Sequence, residues 1–421
     1  MMQHKLSLLV LSSAFLCSDQ ISGKLFAQMR DDTPDSACCP KPLPCCPSKP
    51  DCIPPRCAQL VDGPKGEITP NAGPCVACGL DFYITADFIY WMAREDNLAI
   101  SVVTSGSRNA IVTGAGGLAP FPPKPPIGEV EIPDFKWRPG FKVGLGWNFG
   151  DDGWDLFAQY TWLRSNDNKG SQHQPTVRTV LGALGISQGT SLVDAYWNNI
   201  DRIADFSVSG DSVFTDSSGK WTLHFNVIDL ELGRNFYVSR RLVLRPFIGV
   251  KGTWDKQKLS LTYTDNNPSA VDPGTPFFFF ENQTVDIWGA GLRGGLNTTW
   301  HWTRSFSFLG DIAVTALWEH FKTEALLSDQ RTMSGTAPTA ISEYTMFVER
   351  KAFTLKPVLE MLLGMRWETY TCDNAFHFAV DAGWEMQWWP DQNQFLKRTL
   401  IETAGGDLFM QGLTLKFRFD F

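Results

Sequence analysis

From about Gly79 to Phe421, apolar side chains recur at every second position rather than every three or four. Period two is the mark of strands, whose successive side chains point to opposite faces. The clearest run is 353–367, where Phe353, Leu355, Pro357, Leu359, Met361, Leu363, Met365 and Trp367 share one face and Lys356, Glu360 and Arg366 lie on the other. Residues 376–388 repeat it, with Phe376, Phe378, Val380, Ala382, Trp384, Met386 and Trp388 set against His377, Asp381, Glu385 and Gln387. Further runs are 241–251 and 154–162. All are longer than the about five or six residues of an ordinary strand. One segment changes phase without a turn. In 221–227 the odd positions are apolar and in 228–232 the even ones, which predicts a β-bulge near Val227-Ile228.

A soluble sandwich or lipocalin-like barrel would turn the apolar face inward, but over 79–421 no linker or repeat divides the alternation into several such domains. The expected fold is therefore all-β: a transmembrane antiparallel β-barrel, apolar face to lipid and polar face to a wet lumen, closed because lipid leaves no backbone group unpaired. The pattern predicts about 12 strands (range 12–16), an even number if both termini are periplasmic. Trp388-Trp389, Tyr90-Trp91 and Trp300 with Trp302 are candidates for the aromatic girdles at the two interfaces.

Composition narrows the picture. Of 421 residues only 19% are charged, while 13% are aromatic, with 30 Phe and 16 Trp. Mean hydropathy is -0.14, and beyond the N-terminus no run of 18 apolar residues could form a membrane-spanning helix. A net charge of -8 without a basic block excludes nucleic acid as a partner.

Three domains follow. Residues 1–27 read as a cleaved signal peptide: Lys5, an apolar stretch from Leu6 to Leu16, and a small residue, Ala27, before Gln28. Cys17 raises a lipoprotein alternative, against which Leu16 stands where a small residue is needed. Residues 28–78 form an irregular Cys/Pro-rich periplasmic arm carrying Cys38, Cys39, Cys45, Cys46, Cys52, Cys57, Cys75 and Cys78. Proline removes donors and fixes φ, so neither helix nor central strand is expected there. In an exported chain these cysteines are disulfide candidates, with metal binding and free or lipid-linked thiols as the other readings. Spaced by Pro, they are available for disulfides to further copies or to other Cys-rich envelope proteins. Residues 79–421 are the barrel.

The chain closes on Gln411-Gly412-Leu413-Thr414-Leu415-Lys416-Phe417-Arg418-Phe419-Asp420-Phe421. An amphipathic last strand ending in Phe421 resembles the assembly signal of bacterial outer-membrane barrels, which implies the barrel-assembly machinery as a partner.

Several segments resemble the pore-forming major outer membrane protein family of Legionella and Chlamydia-like bacteria. They are Phe135-Lys136-Trp137-Arg138-Pro139-Gly140-Phe141-Lys142-Val143-Gly144-Leu145-Gly146, Gly153-Trp154-Asp155-Leu156, Asp229-Leu230-Glu231-Leu232-Gly233-Arg234-Asn235-Phe236, Leu244-Arg245-Pro246-Phe247-Ile248-Gly249, Trp288-Gly289-Ala290-Gly291-Leu292-Arg293, Asn393-Gln394-Phe395 and Gln411-Gly412-Leu413-Thr414-Leu415. The resemblance covers roughly residues 80–421 and implies a general diffusion pore in the outer membrane, without catalytic residues. The Cys/Pro arm departs from the plainer porins of that family and is more similar to Cys-rich chlamydial envelope proteins.

Motifs that suggest other chemistry lack its context. Gly185-Ile186-Ser187-Gln188-Gly189 matches GxSxG without the strand-to-helix elbow. Gly289-Ala290-Gly291-Leu292-Arg293-Gly294 matches GxGxxG but runs on as strand. The six His lack metal-ligand spacing. No enzyme, cofactor or metal is expected.

Alternation assigns a lumen face. Its pore-lining candidates are Lys142, Arg241, Arg245, Lys251, Arg293, Lys356, Arg366, Lys416 and Arg418, with Asp155, Asp229, Glu231, Asp311, Glu319, Glu360, Asp381 and Glu385. Glu368 shares the face. The signs balance, which predicts weak ion selectivity. Two long excursions are candidate constrictions: 192–206, with a helical spacing of Leu192, Tyr196, Asn199 and Ile203, and Pro-rich 119–133. The expected function is an outer-membrane porin for small hydrophilic solutes and ions. The alternative is a structural or adhesive envelope protein whose barrel is an anchor and whose arm makes disulfides.

Overall fold

A computed structural model describes residues 81–105, 127–149, 153–173, 216–265, 277–333, 340–371, 376–397 and 403–421, with short pieces at 69–70, 72–74, 76, 179–181, 186–188 and 191–195. The signal segment, nearly all of the Cys/Pro arm with its eight cysteines, Pro122 to Pro126 and Cys372 lie outside the described residues.

The alternating runs become ten long strands: β1 Phe82–Glu95, β2 Trp137–Asn148, β3 Trp154–His173, β4 Asp216–Arg234, β5 Leu242–Asp265, β6 Phe277–His301, β7 Phe306–Met333, β8 Ala340–Thr371, β9 Phe376–Trp389 and β10 Leu408–Asp420. Each pairs antiparallel with the next, and β10 pairs with β1 (Leu413↔Tyr90), so the sheet closes into an up-and-down barrel. No edge is left in the ring, as lipid demands. Phe421 N donates to Phe82 O (3.1 Å), so the first and last strands meet at one end, called the near end here. The short β4–β5 and β6–β7 connections lie there; Trp302 N, for example, donates to Phe306 O (3.0 Å). Thr69–Pro70 and Phe236–Tyr237 extend the sheet beside the start of β5.

Ten strands is an even number but falls short of the expected twelve. The residues went into strand length: β7 has 28 residues and β8 has 32, about three times what a span requires. Alternation continues through these extensions, and a count of alternating stretches therefore overestimates strands.

The outward face shows where lipid begins and ends. Leu292, Leu355 and Ile248 are 73%, 71% and 68% exposed on it. Near the far end, Trp162 stands opposite Asn226, Trp254 opposite Trp288, Trp288 opposite His320, and His320 opposite Phe353. Near the other end, Trp300 stands opposite Phe308, their rings tilted against each other with centroids 5.8 Å apart. Twelve positions of β7 separate Phe308 from His320. At roughly 3.4 Å per residue and 40° of tilt they enclose a band about 30 Å tall, comparable to the hydrocarbon core of a bilayer. Trp300, Trp302 and Tyr90 face outward as girdle candidates should; Trp91 and Trp389 instead point inward and are fully buried. Their partners in sequence, Tyr90 and Trp388, take the lipid side, because neighbours on a strand cannot share a face.

Beyond the far aromatic row the two faces exchange character. On β4 the inward side chains are Asp229 and Glu231 within the lipid band, then Val227, Phe225, Leu223 and Trp221 beyond it. The outward ones change from Leu230 and Ile228 to Asn226, His224 and Thr222. No bulge lies at Val227-Ile228: pairing runs unbroken through Val227↔Thr253 and Ile228↔Gly252. The predicted bulge is thus corrected. The surroundings switch, from lipid to water outside, while the strand keeps its phase. A register shift does occur further on, on the other side of β4 in its ladder with β3, where Trp221 pairs Asn168 but Leu223 pairs Ser165; Asn166 and Asp167, the latter at φ 63, stand opposite Thr222.

The far half consequently has a dry interior. Ile89, Leu163, Trp221, Leu223, Phe225, Leu261, Tyr263, Phe321 and Trp389 are all buried in it. The chain after β1 turns back inside: Ile100 lies over Gly170 and Gly219, where an added Cβ would come within 2.6 Å of its Cδ1. Tyr263 Oη donates to Ile100 O (2.6 Å). Residues 191–195 form a strand beside Ser101–Ser105 rather than the expected helical turn, and Ile127–Glu131 lies on its other side. Ser191, Leu192 and Val193 pair residue by residue with Ser105, Thr104 and Val103, a ladder that outweighs the helical spacing.

Candidate functional site: the barrel lumen

Within the lipid band the inward face is ionic, and the foreseen residues meet one another there. Arg245 on β5 reaches Asp155 on β3 (2.5 Å) and Glu231 on β4 (3.1 Å). Arg293 on β6 bridges Glu231 (3.1 Å) and Glu360 on β8. Lys251 on β5 bridges Glu360 (2.7 Å) and Asp229 (2.8 Å). One continuous chain of charges therefore crosses the lumen from β3 to β8. Room for it comes from the glycines of the GxGxxG run: Gly289, Gly291 and Arg293 face inward in mid-strand, with no helix following.

Four further pairs stand apart. Lys142 binds Glu385 (2.6 Å) under Thr414, Arg366 forks onto Asp381 (2.7 and 2.8 Å), and Lys356 holds Glu319 (2.6 Å). Arg418 binds Asp420 (2.6 Å) and lies 3.8 Å over the Tyr83 ring. Asp311 and Lys416 face inward and are only half-buried, the Lys416 ammonium 5.3 Å over Phe157. Arg241 lies in the bend before β5, at the near mouth rather than on the wall. The chain has not yet entered the strand at that point, so the alternation does not place its side chain.

The expected charge balance does not hold. Asp87, Glu95, Asp255, Glu281 and Asp420 also face inward, and among the described side chains Arg138 and Arg350, at the far rim, are the cations that join them. Among the described side chains the lumen is acidic in excess. Asp87 and Glu95 follow the period of Tyr83 and were legible in the sequence; Asp255 and Glu281 sit where the faces exchange character, which hides them. Glu95 Oε2 accepts from Gln257 (3.2 Å) and Asp255 Oδ1 from Asn226 N (2.7 Å), while Glu95 Oε1 and Asp255 Oδ2 are buried without a hydrogen bond. His377 joins Asp420 (2.7 Å) to Glu368 (3.2 Å) near the other end.

Of the two expected excursions, 119–126 and 196–206 lie outside the described residues. A further segment between β9 and β10, described at 390–397 and 403–407, enters the lumen. Gln392, Asn393, Gln394, Phe395 and Leu396 are buried there, Phe395 at 0% exposure. Gln283 on β6 donates to Leu396 O and accepts from Leu396 N, both at 2.7 Å. Thr323 on β7 donates to Gln394 O (3.1 Å), Arg350 on β8 to Gln394 Oε1 (3.2 Å), and Lys356 holds Gln392. The segment closes on itself through Ala404 N to Phe395 O (2.7 Å) and Asn393 N to Gly406 O (3.0 Å). Asp391 and Gly405 supply positive φ of 49° and 60° at its two ends. The Asn393-Gln394-Phe395 motif thus marks an inserted loop, a role that its spacing alone does not reveal. Among the described residues no group of His, Cys, Asp and Glu is arranged to hold a metal.

Comparison with solved structures finds distant similarities. The outer membrane protease OmpT of Escherichia coli is 9% identical, over 81% of this chain and 97% of its own, with a TM-score of 0.30. A FadL homologue of Pseudomonas aeruginosa is 8% identical over 81% and 90%, with a TM-score of 0.21. The toluene transporter TodX of P. putida is 6% identical over the same shares, again at 0.21. At these scores the likeness says nothing of activity. No curated protein matches the chain. Residues 72–421, the whole barrel, match the family described as the Legionella pneumophila major outer membrane protein precursor. The chain is therefore a member of the Legionella major outer membrane protein family, an outer-membrane β-barrel.

Proposed function

We propose that the protein is a passive porin, a diffusion channel for small hydrophilic solutes and ions that works without cofactor or catalysis. The observation that carries this reading is the ionic inward face, which runs the height of the lipid band from Asp155 and Arg418 to Lys142, Glu385, Glu319 and Lys356. An interior needed only to hold an anchor together is better filled with apolar side chains, since each ion taken from water costs several kcal/mol. A face built of ions suits a space that admits water. The acid excess favours cations over anions. Residues 390–397, with 403–407, narrow the interior, and the packing of buried Phe395 and Leu396 there limits the size of solutes.

The test is conductance of the refolded chain in planar bilayers. Discrete steps with a preference for cations are expected, and larger steps when 392–396 are replaced by Gly and Ser. No steps from either protein would overturn the reading.

One observation favours the envelope-anchor alternative: the lumen charges are largely buried against one another. On that reading the work falls to the Cys arm, and non-reducing gels of isolated envelopes should show reductant-sensitive oligomers. Export through cleavage of 1–27 and delivery by the assembly machinery through Phe421 belong to both readings.

A further inference from the structure

Just beyond the far aromatic row, the outer wall of the barrel carries a corner of basic side chains. Arg164 on β3 stands directly opposite His224 on β4, and His224 opposite Lys256 on β5. Lys258, the next outward residue of β5, is exposed and faces Thr222. Three neighbouring strands thus present four basic groups within about 10 Å across the sheet.

The corner differs from the rest of that row. Further round, Lys322 is answered by Glu324 (2.6 Å) and Lys351 by Glu349 (3.0 Å). Among the described outward side chains of the corner, the acidic neighbour is Asp286, 2.8 Å from Lys256. Burial, with the Arg164, Lys258 and Lys256 charges, holds the His224 imidazole below its ordinary range, so the lasting charges are those of Arg164, Lys256 and Lys258. Lys256 and Lys258 are successive outward residues of β5 and repel one another, and an anion beside them would relieve it. Arg164 is also fixed in place: its guanidinium lies 4.9 Å over the Trp162 ring and donates to Phe225 O (3.1 Å) and Asn226 Oδ1 (3.0 Å). Directly below, Tyr160 and Trp254 stack at 5.9 Å in the girdle.

We propose that Arg164, His224, Lys256 and Lys258 dock the phosphate groups of lipid headgroups in the leaflet at the far end of the barrel. A lipid lying against this wall sets its acyl chains on Ile228, Val250 and Trp254, and the girdle marks the depth at which hydrocarbon ends. Its phosphates then stand at the height of the basic row. A guanidinium fork binds phosphate through two hydrogen bonds, and each nearby Lys or Arg adds attraction to an anionic lipid surface. The site is independent of whether the lumen conducts.

Binding of a bisphosphorylated lipid and of its dephosphorylated twin to the full refolded chain is measured by native mass spectrometry. The wild type should retain the phosphorylated lipid preferentially. Arg164→Gln/Lys256→Gln/Lys258→Gln should weaken it roughly tenfold or more and leave the twin unaffected. Lys322→Gln/Lys351→Gln should change it less than about twofold, because acids already answer those charges. Equal retention of both lipids, or undiminished binding by the neutral triple variant, would overturn the proposal. So would inorganic phosphate competing as well as the lipid, which marks a general anion site. If the neutral triple variant loses heat-modifiable mobility and so fails to fold, the single Lys258→Gln and the charge-keeping Arg164→Lys/Lys256→Arg/Lys258→Arg decide. Weakened binding by the first and wild-type binding by the second support docking; the reverse sinks it.

Discussion

The two halves of the barrel wall are built from the same strands and solve opposite problems. In the lipid band, Leu292 and Ile248 face out while Arg293 and Lys251 face in. Past the girdle, the same β5 and β6 put Lys256, Lys258 and Asn282 outside and Leu259, Leu261 and Ile287 inside. Below the girdle the barrel is a membrane protein, inverted relative to a soluble one; above it the sheet wraps a core in the ordinary sense. The lesson is that the polarity of a face is set by the solvent at that height, and the strand keeps its register through the change. A boundary between solvents can look, in sequence, like a boundary between registers.

The comparison breaks or sharpens under substitution, read as unfolding free energy in urea with detergent micelles. The largest effect is expected from Arg293→Ala, which strips Glu231 and Glu360 of a shared partner and should cost about 3–5 kcal/mol. A cost below about 1 kcal/mol would mean that water screens the lumen, which would also strengthen the channel reading. Phe225→Ala, in the dry far core, should cost about 3–5 kcal/mol through the cavity it leaves. Lipid-facing Leu292→Arg should cost about 2–4 kcal/mol, whereas Asn282→Arg, on the same face of β6 beyond the girdle, should be near neutral. Equal costs at the two positions would mean that the lipid boundary is misplaced. Asp286→Asn, which loses the exposed pair with Lys256, should stay within about 1 kcal/mol.

Much of the wall was legible. Period two identifies the class, and the parity of 353–367 places Lys356, Glu360 and Arg366 inward, where they lie. The strand count was less legible, because alternation does not stop at the membrane and β7 and β8 run on well past it. The lumen charges were readable singly but their sum was not: Asp255 and Glu281 lie where the apolar face changes sides and so look out of phase. Which segment enters the lumen was not readable at all. Residues 392–396 are polar and apolar in no periodic order, and they settle inside because Gln283, Thr323, Arg350 and Lys356, from three other strands, supply their hydrogen bonds.

A two-residue period, with the backbone's need for partners, is enough to require a closed antiparallel wall with one face for lipid over so long a stretch. How many strands share that wall, at what height its faces exchange roles, which acids meet which bases across the lumen and which segments enter it all follow from contacts between distant residues. Those outcomes depend on residues far apart in the chain becoming neighbours, as Glu385 does for Lys142 and Leu396 for Gln283. Local periodicity carries no record of such meetings.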